Sequence, residues 1–431
     1  MNKINFKSQF LITFIVALFL IPKMYYVYSA YNANEYTVDN AYSQGDATHY
    51  LKIAENLVCY GVFSDNNSSE PTQSAIWRPP VWPLILSVFY FFTSNIVGLI
   101  ILKSLVETSL VFVAIKVVKR KLKLNYLQCT PFFLLLIEPQ YIKYSITFLS
   151  ESITAVFLLL FSLTFIFFNS HKKKSYLIIL FGVLTVLTHP VSVFFVGTLL
   201  FSYGLMNLKA HTIRVILQAL LFFLLFFLWP LRNYYTFNEG VILTASQGAV
   251  FSKGWNKKVY NEFNNVDGDL ADEELNFEDY PPNPLLLKEA SLLELSKLYR
   301  VSTWKYINSL TLKETLKVIG AKLLSNFNPI PMKPKPTFLD GISIPFRVIY
   351  IVIFLQALYL LLFKNKLEIC MTVYYSCLVI LAIIIGQVLM SIYTYTGLRF
   401  NSIYGLSLVL TGLLINFKRI LALVYRELTT F

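Results

Sequence analysis

The sequence predicts an all-α polytopic membrane protein, a bundle of about ten transmembrane helices with interfacial helices in its outer loops. Three observations carry that prediction. Of 431 residues, 56% are hydrophobic and only 14% charged, and the mean hydropathy is +0.58; a soluble domain has no interior for so much apolar side chain. The apolar residues come in runs of about 20, the length that crosses roughly 30 Å of hydrocarbon. The basic residues behind the formal charge of +13 fall in short clusters between those runs. That pattern orients a chain in a membrane and argues against a nucleic-acid partner.

In chain order the predicted spans are 9–28, 96–116, 126–144, 147–168, 175–189, 191–208, 213–231, 343–363, 369–392 and 400–416. The first follows Lys3 and Lys7 and resembles a secretory signal, but no clear small-x-small cleavage site follows it directly, so it is read as an uncleaved span. The segment Val81 to Phe92 is apolar but reaches only about 18 Å as a helix. It is therefore read as a short helix in the outer interface. Were it to cross, Lys116, Lys119, Arg120, Lys121 and Lys123 would face outside, against the positive-inside rule. With it kept outside, Lys172 to Lys174, Lys209 with Arg214, Lys364 with Lys366, and Lys418 with Arg419 all face the cytoplasm, as do both termini.

This divides the chain into a transmembrane core, 1–231, whose first outer loop is 29–95; an outer region, 232–341; and C-terminal transmembrane helices, 342–431. The outer region is broken by prolines from Pro281 to Pro336, and between the breaks 285–307 and 311–326 have the apolar spacing of helices resting on a membrane. Cys129, Cys370 and Cys377 lie in apolar runs and Cys59 in a polar loop, so no disulfide framework or zinc spacing is present.

The first outer loop holds the most informative residues. Gly45-Asp46-Ala47-Thr48-His49-Tyr50 is followed by an amphipathic stretch, Leu51 to Gly61, and then by Trp77-Arg78-Pro79-Pro80 with Pro83 beyond. Further on come Pro139 through Tyr144 to Ser150-Glu151, then Thr188-His189-Pro190, Trp229-Pro230-Leu231-Arg232-Asn233-Tyr234 with Gly240 and Gly248, and Leu398-Arg399-Phe400. Five such pieces in this order resemble the GT-C fold glycosyltransferases of the protein mannosyltransferase and aminoarabinose transferase kind. The resemblance implies a GT-C-like bundle and sugar transfer from a polyprenyl-phosphate donor at the outer face of a bacterial inner membrane, to a glycan, lipid or protein acceptor. It departs in one place. Many relatives have two adjacent acids at the first motif, and here Ala47 follows Asp46, so metal coordination by a second acid there is in doubt and no cofactor is assigned.

The chemistry has its own logic. A polyprenyl-phosphate sugar already carries a leaving group, so the enzyme must hold the phosphate, deprotonate an acceptor hydroxyl and align the two. Asp46 is the candidate base, since a carboxylate at a membrane interface gains basicity from partial desolvation; the simpler reading is a helix N-cap. Asp39 is the competing acid of the loop, and Tyr50, Glu151 and Asn233 are substrate-binding candidates. Arg78, Arg232 and Arg399 fall where outer loops meet spans, which suits bidentate phosphate binding or plain snorkelling. Lys103 and Glu107, one turn apart inside a span, either neutralise each other or free Lys103 for the donor phosphate. His189 is read as a polar span terminus rather than a ligand. Two rival functions remain open: an O-antigen polymerase or ligase, and a lipid-linked glycan flippase or transporter, for which paired charges in mid-membrane and internal repeats are the expected signs.

Overall fold

The structure is a computed structural model that describes Lys23 and residues 46–66, 69–168, 176–255, 291–327, 338–363, 370–394 and 398–429. Among these residues the secondary structure is helical, without a strand. The architecture is that of a polytopic membrane protein. Among the described residues six segments are long and apolar enough to cross a bilayer: Ile96–Leu122, Glu151–Phe168, Pro190–Lys209, His211–Phe237, Ser343–Leu362 and Met371–Tyr393.

Six is fewer than the ten read from the sequence, and each of the other four has its own reason. The run 9–28 lies outside the described residues apart from Lys23. The run 126–144 is not one helix: a 3-10 helix, Leu127–Leu136, gives way to a short α-helix, Pro139–Ser145. Pro131 and Pro139 each lack the N–H that an α-helix interior needs, and Glu138 caps the second piece through the Tyr141 N–H at 2.5 Å. The helix expected at 175–189 has only thirteen residues, Tyr176–Thr188, and stops before Pro190. The last apolar segment, Ser402–Phe417, is the apolar middle of a longer helix, Leu398–Thr429.

The elements in order are α1 (Asp46–Tyr60), α2 (Val81–Phe92), α3 (Ile96–Leu122), α4 (Pro139–Ser145), α5 (Glu151–Phe168), α6 (Tyr176–Thr188), α7 (Val193–Phe237), α8 (Gln247–Gly254), α9 (Leu292–Ser309), α10 (Leu312–Phe327), α11 (Phe338–Leu362), α12 (Met371–Tyr393) and α13 (Leu398–Thr429). Non-helical backbone at His211 divides α7 into its two spanning halves.

Helix α5 is the axis of the bundle and is buried almost throughout, packed by α3, α4, α6, α12 and α13. It can be central because after Glu151 it carries no charge, and its hydroxyls are used internally: Thr154 on the Ser150 carbonyl, Thr164 on that of Phe161, and Ser162 on Ser407 of α13 at 3.1 Å. Small hydroxylated residues let membrane helices approach closely and bond across the contact. Facing outward, α7 exposes Leu220, Leu224, Phe227 and Leu231, the apolar side chains a lipid-facing helix must carry.

Residues 46–92 hold the two helices that the sequence suggests there. Helix α1 begins at Asp46 and ends at Gly61, whose φ of +68° is the left-handed C-terminal stop that glycine adopts without cost. Helix α2 is twelve residues long, buries Trp82 and Leu86 against its neighbours, and exposes Phe91 and Phe92. The amphipathic helices expected at 285–307 and 311–326 are present as α9 and α10. A capping box between Ser291 and Glu294 starts α9. Gly248 on α8 donates its N–H to Ser296 Oγ at 2.9 Å, and any Cβ on Gly248 would collide with the Ser296 carbonyl, so glycine there sets how α9 docks.

Because α2 is too short to cross, residues on either side of α3 should face opposite compartments. In a background without native cysteines, a cysteine at Asn66 is expected to react with a membrane-impermeant thiol reagent on intact cells and one at Lys121 to stay unlabelled. Labelling at Lys121 would reverse every later span.

Candidate active site at Asp46 and Arg78

Asp46 opens α1 and Arg78 lies just before Pro79 and Pro80, 32 positions later. Arg78 Nη2 donates to Asp46 Oδ1 at 2.6 Å, and the pair is only partly shielded, with side-chain exposures of 14% and 26%. Charge-assisted bonds of this length are among the stronger ones in proteins. The extended backbone at Arg78, φ −112° and ψ 136°, follows from the proline after it. The double proline then starts α2, which is anchored by the Trp82 indole donating to the Phe148 carbonyl at 2.7 Å.

Tyr50, one turn along α1 from Asp46, is buried, lies 5.6 Å from the Arg78 guanidinium, and shares a hydrogen bond of 3.1 Å with Ser150 Oγ. Burial pushes its phenol up to about 12 despite the nearby guanidinium, so the proton stays on Tyr50. The hydroxyl bond ties the first loop to the start of α5. There Glu151 is buried, with His189 Nε2 at 4.0 Å from its Oε1. His189 also caps the turn after α6, accepting from the Val191 N–H at 3.4 Å, as a polar span terminus would.

The loop between α1 and α2 is stiffened by Asp65, which accepts from Thr72 Oγ1 at 2.6 Å and Ser74 Oγ at 2.5 Å. His49 Nδ1 lies 3.7 Å from Asp65. Burial, and then the Arg78 charge, hold the His49 imidazole below its ordinary pKa, favouring the neutral ring. Three buried nitrogens here have no hydrogen-bond partner among the described residues: Arg78 Nε, Trp77 Nε1 and His49 Nδ1. Buried donors are rarely left unmet without cause.

Arg232 belongs to the same group of loops. Its guanidinium lies 5.4–5.5 Å from the rings of Phe63, Trp229 and Phe237, and its Nη1 donates to Asn233 Oδ1 at 3.1 Å. Phe63 and Trp229 meet edge-on at 5.0 Å, and the Ala245 N–H donates to the Ile76 carbonyl at 3.0 Å, joining the second outer region to the segment that carries Arg78. Asn233 is buried, and its amide reaches the Val241 carbonyl at 3.4 Å.

Lys103 stands apart from this group. Its ammonium donates to the carbonyls of Tyr144 and Thr147 and to Ser152 Oγ, at 2.9, 2.7 and 2.7 Å, with Glu107 at 3.5 Å. Those three acceptors match its three protons, the arrangement that the internal-neutralisation reading requires. Asp39 and the Arg399 side chain lie outside the described residues. No group of three or more His, Cys, Asp or Glu among the described residues is placed to hold a metal ion.

Sequence reasoning did not single out Trp77 or His49. Both carried a signal: Trp77 directly precedes Arg78, and His49 lies three residues after Asp46, on the same helical face. Comparison with known proteins finds no matching family model, no similar curated protein and no similar solved structure.

Proposed function

We propose that the chain is an integral-membrane glycosyltransferase of the GT-C kind, seated in a bacterial inner membrane with the Asp46 site facing outside. It would move a sugar from a polyprenyl-phosphate donor to an acceptor hydroxyl. The observation that carries this reading is the Asp46–Arg78 pair at 2.6 Å together with the unmet Arg78 Nε and Trp77 Nε1 donors beside it. A carboxylate that can take a proton, next to buried donors that lack an acceptor, is what transfer from a phosphate-bearing donor requires.

In the proposed step the acceptor oxygen forms a bond to the anomeric carbon as Asp46 takes its proton. The bond from that carbon to the phosphate oxygen breaks, and polyprenyl phosphate leaves with the electron pair. Its new charge is met by Arg78, with Arg232 as the second cation of these loops. A single displacement of this kind inverts the anomeric centre. Tyr50, kept protonated, offers a hydroxyl to the sugar, while Glu151 and Asn233 complete the substrate contacts.

The test is chemical. Purified protein in liposomes, given labelled prenyl-phosphate hexoses and pentoses with envelope extract as acceptor, is expected to release prenyl phosphate and label the acceptor in step. Donors that stay intact throughout would overturn the assignment.

A further inference from the structure

A cavity of about 380 Å³ opens between α4, α11, α12 and α13. None of Asp46, Tyr50, Arg78 or Arg232 lines it. Its lining is sorted by depth along three separate helices. On α11, Ser343, Arg347 and Tyr350 come first, with Phe346 among them, and Ile351, Phe354 and Leu355 follow; on α12, Ile383 and Ile384 come one turn before Gln387; on α13, Tyr404 comes one turn before Leu408. The polar residues therefore lie near the start of α11, the end of α12 and the start of α13, at one end of the cavity, and the apolar residues other than Phe346 lie at the other.

The polar end is built rather than incidental. Glu138, buried at the head of α4, accepts from the Tyr350 hydroxyl at 3.0 Å, and Gly405 backs it so closely that a Cβ there would come within 2.9 Å of the carboxyl carbon. Arg347 is 6% exposed and lines the same end. Gln140, 4% exposed, also lines it, and its Nε2 is buried with no hydrogen-bond partner among the described residues. A buried amide donor directed at a cavity without an acceptor points to one supplied by a ligand.

At the apolar end Leu355 lines the cavity and is 56% exposed on the outer side of the bundle. The cavity therefore opens sideways, toward where hydrocarbon would lie. Its volume is at the low end for ligand pockets, enough for a head and the first part of a chain, with the remainder passing out along Leu355. The guanidinium and amide call for phosphate oxygens. The carboxylate beside them disfavours a second negative charge and calls for a hydroxyl donor.

We propose that this pocket binds a long-chain membrane lipid whose head is a singly charged phosphodiester bearing hydroxyl groups, with the phosphate on Arg347 and Gln140, a hydroxyl on Glu138, and the chain along Phe354, Ile383 and Leu408. This does not depend on transfer chemistry at Asp46, so the failure of either leaves the other standing.

The probes are phosphatidylglycerol, phosphatidylcholine and a prenyl-phosphate hexose, each offered to delipidated full-length protein in detergent, with retention read by native mass spectrometry. Phosphatidylglycerol should be retained and phosphatidylcholine should not. Arg347→Gln should lower retention roughly tenfold or more, the loss expected of a charge-assisted bond. Gln140→Ala, which removes the unmet donor, and Leu355→Trp, which narrows the exposed mouth, should each lower it severalfold; they keep the test decisive if Arg347→Gln does not fold. Retention of the prenyl-phosphate hexose in place of phosphatidylglycerol, sensitive to the same substitutions, supports the pocket chemistry and identifies the donor lipid as its source. Equal retention of phosphatidylcholine, or wild-type retention by both Gln140→Ala and Leu355→Trp, would overturn the proposal.

Discussion

Asp46→Asn is expected to cut sugar transfer by about two to four orders of magnitude, the range that general-base catalysis supplies, while the protein still folds and inserts. Asparagine keeps the size of the side chain and an oxygen that can accept from Arg78 Nη2, now 2.6 Å away, but it cannot take a proton. The loss should therefore fall on kcat, with KM for the donor changed little. Measuring both parameters on protein with wild-type elution and melting behaviour checks this. Transfer at the wild-type rate would remove Asp46 as the base and leave its bond to Arg78 as a loop contact.

The Asp46–Arg78 contact was legible only in part. The sequence assigned the carboxylate to proton transfer and the guanidinium to phosphate, as separate tasks, because 32 positions of intervening loop hide the distance between them. Chain spacing speaks to neighbours one turn apart, which is why Tyr50 could be placed beside Asp46, but it says nothing of loop closure through Asp65, Thr72 and Ser74. The spans were legible where apolar runs were uninterrupted, as in α3, α5 and α12. The run 126–144 failed because hydropathy counts Pro131 and Pro139 as merely neutral residues, whereas their missing N–H groups force a 3-10 stretch and a new helix start. The lateral pocket was missed because Arg347, Gln140 and Gln387 each look like an isolated polar residue in an apolar segment. Only the packing of four elements shows that they share one end of a cavity.

Lys103→Met should be among the most destabilising single substitutions in the chain. The lysine is 1% exposed and Glu107 fully buried, and the Ser152 hydroxyl bridges them by accepting from Lys103 and donating to Glu107 Oε1 at 2.7 Å. Glu107 Oε2 has no hydrogen-bond partner among the described residues, so compensation of the carboxylate falls to its cations, Lys103 at 3.5 Å and the buried Lys23. Removing the lysine takes away the cation bridged to Glu107 through Ser152 and a donor from the Tyr144 and Thr147 carbonyls. Breaking one side of a buried pair typically costs about 3–5 kcal/mol. That corresponds to a fall of roughly 5–15 °C in apparent Tm for the detergent-purified protein. The double variant Lys103→Met with Glu107→Leu should recover most of this, because a buried pair replaced by apolar groups of similar volume is often neutral. The pattern separates the two roles weighed for Lys103. A lysine that served the donor phosphate would lose donor affinity on substitution and keep its Tm, and Glu107→Leu would restore nothing; a lysine that holds α3 to the α4–α5 junction would lose Tm first and regain it when its partner's charge is removed.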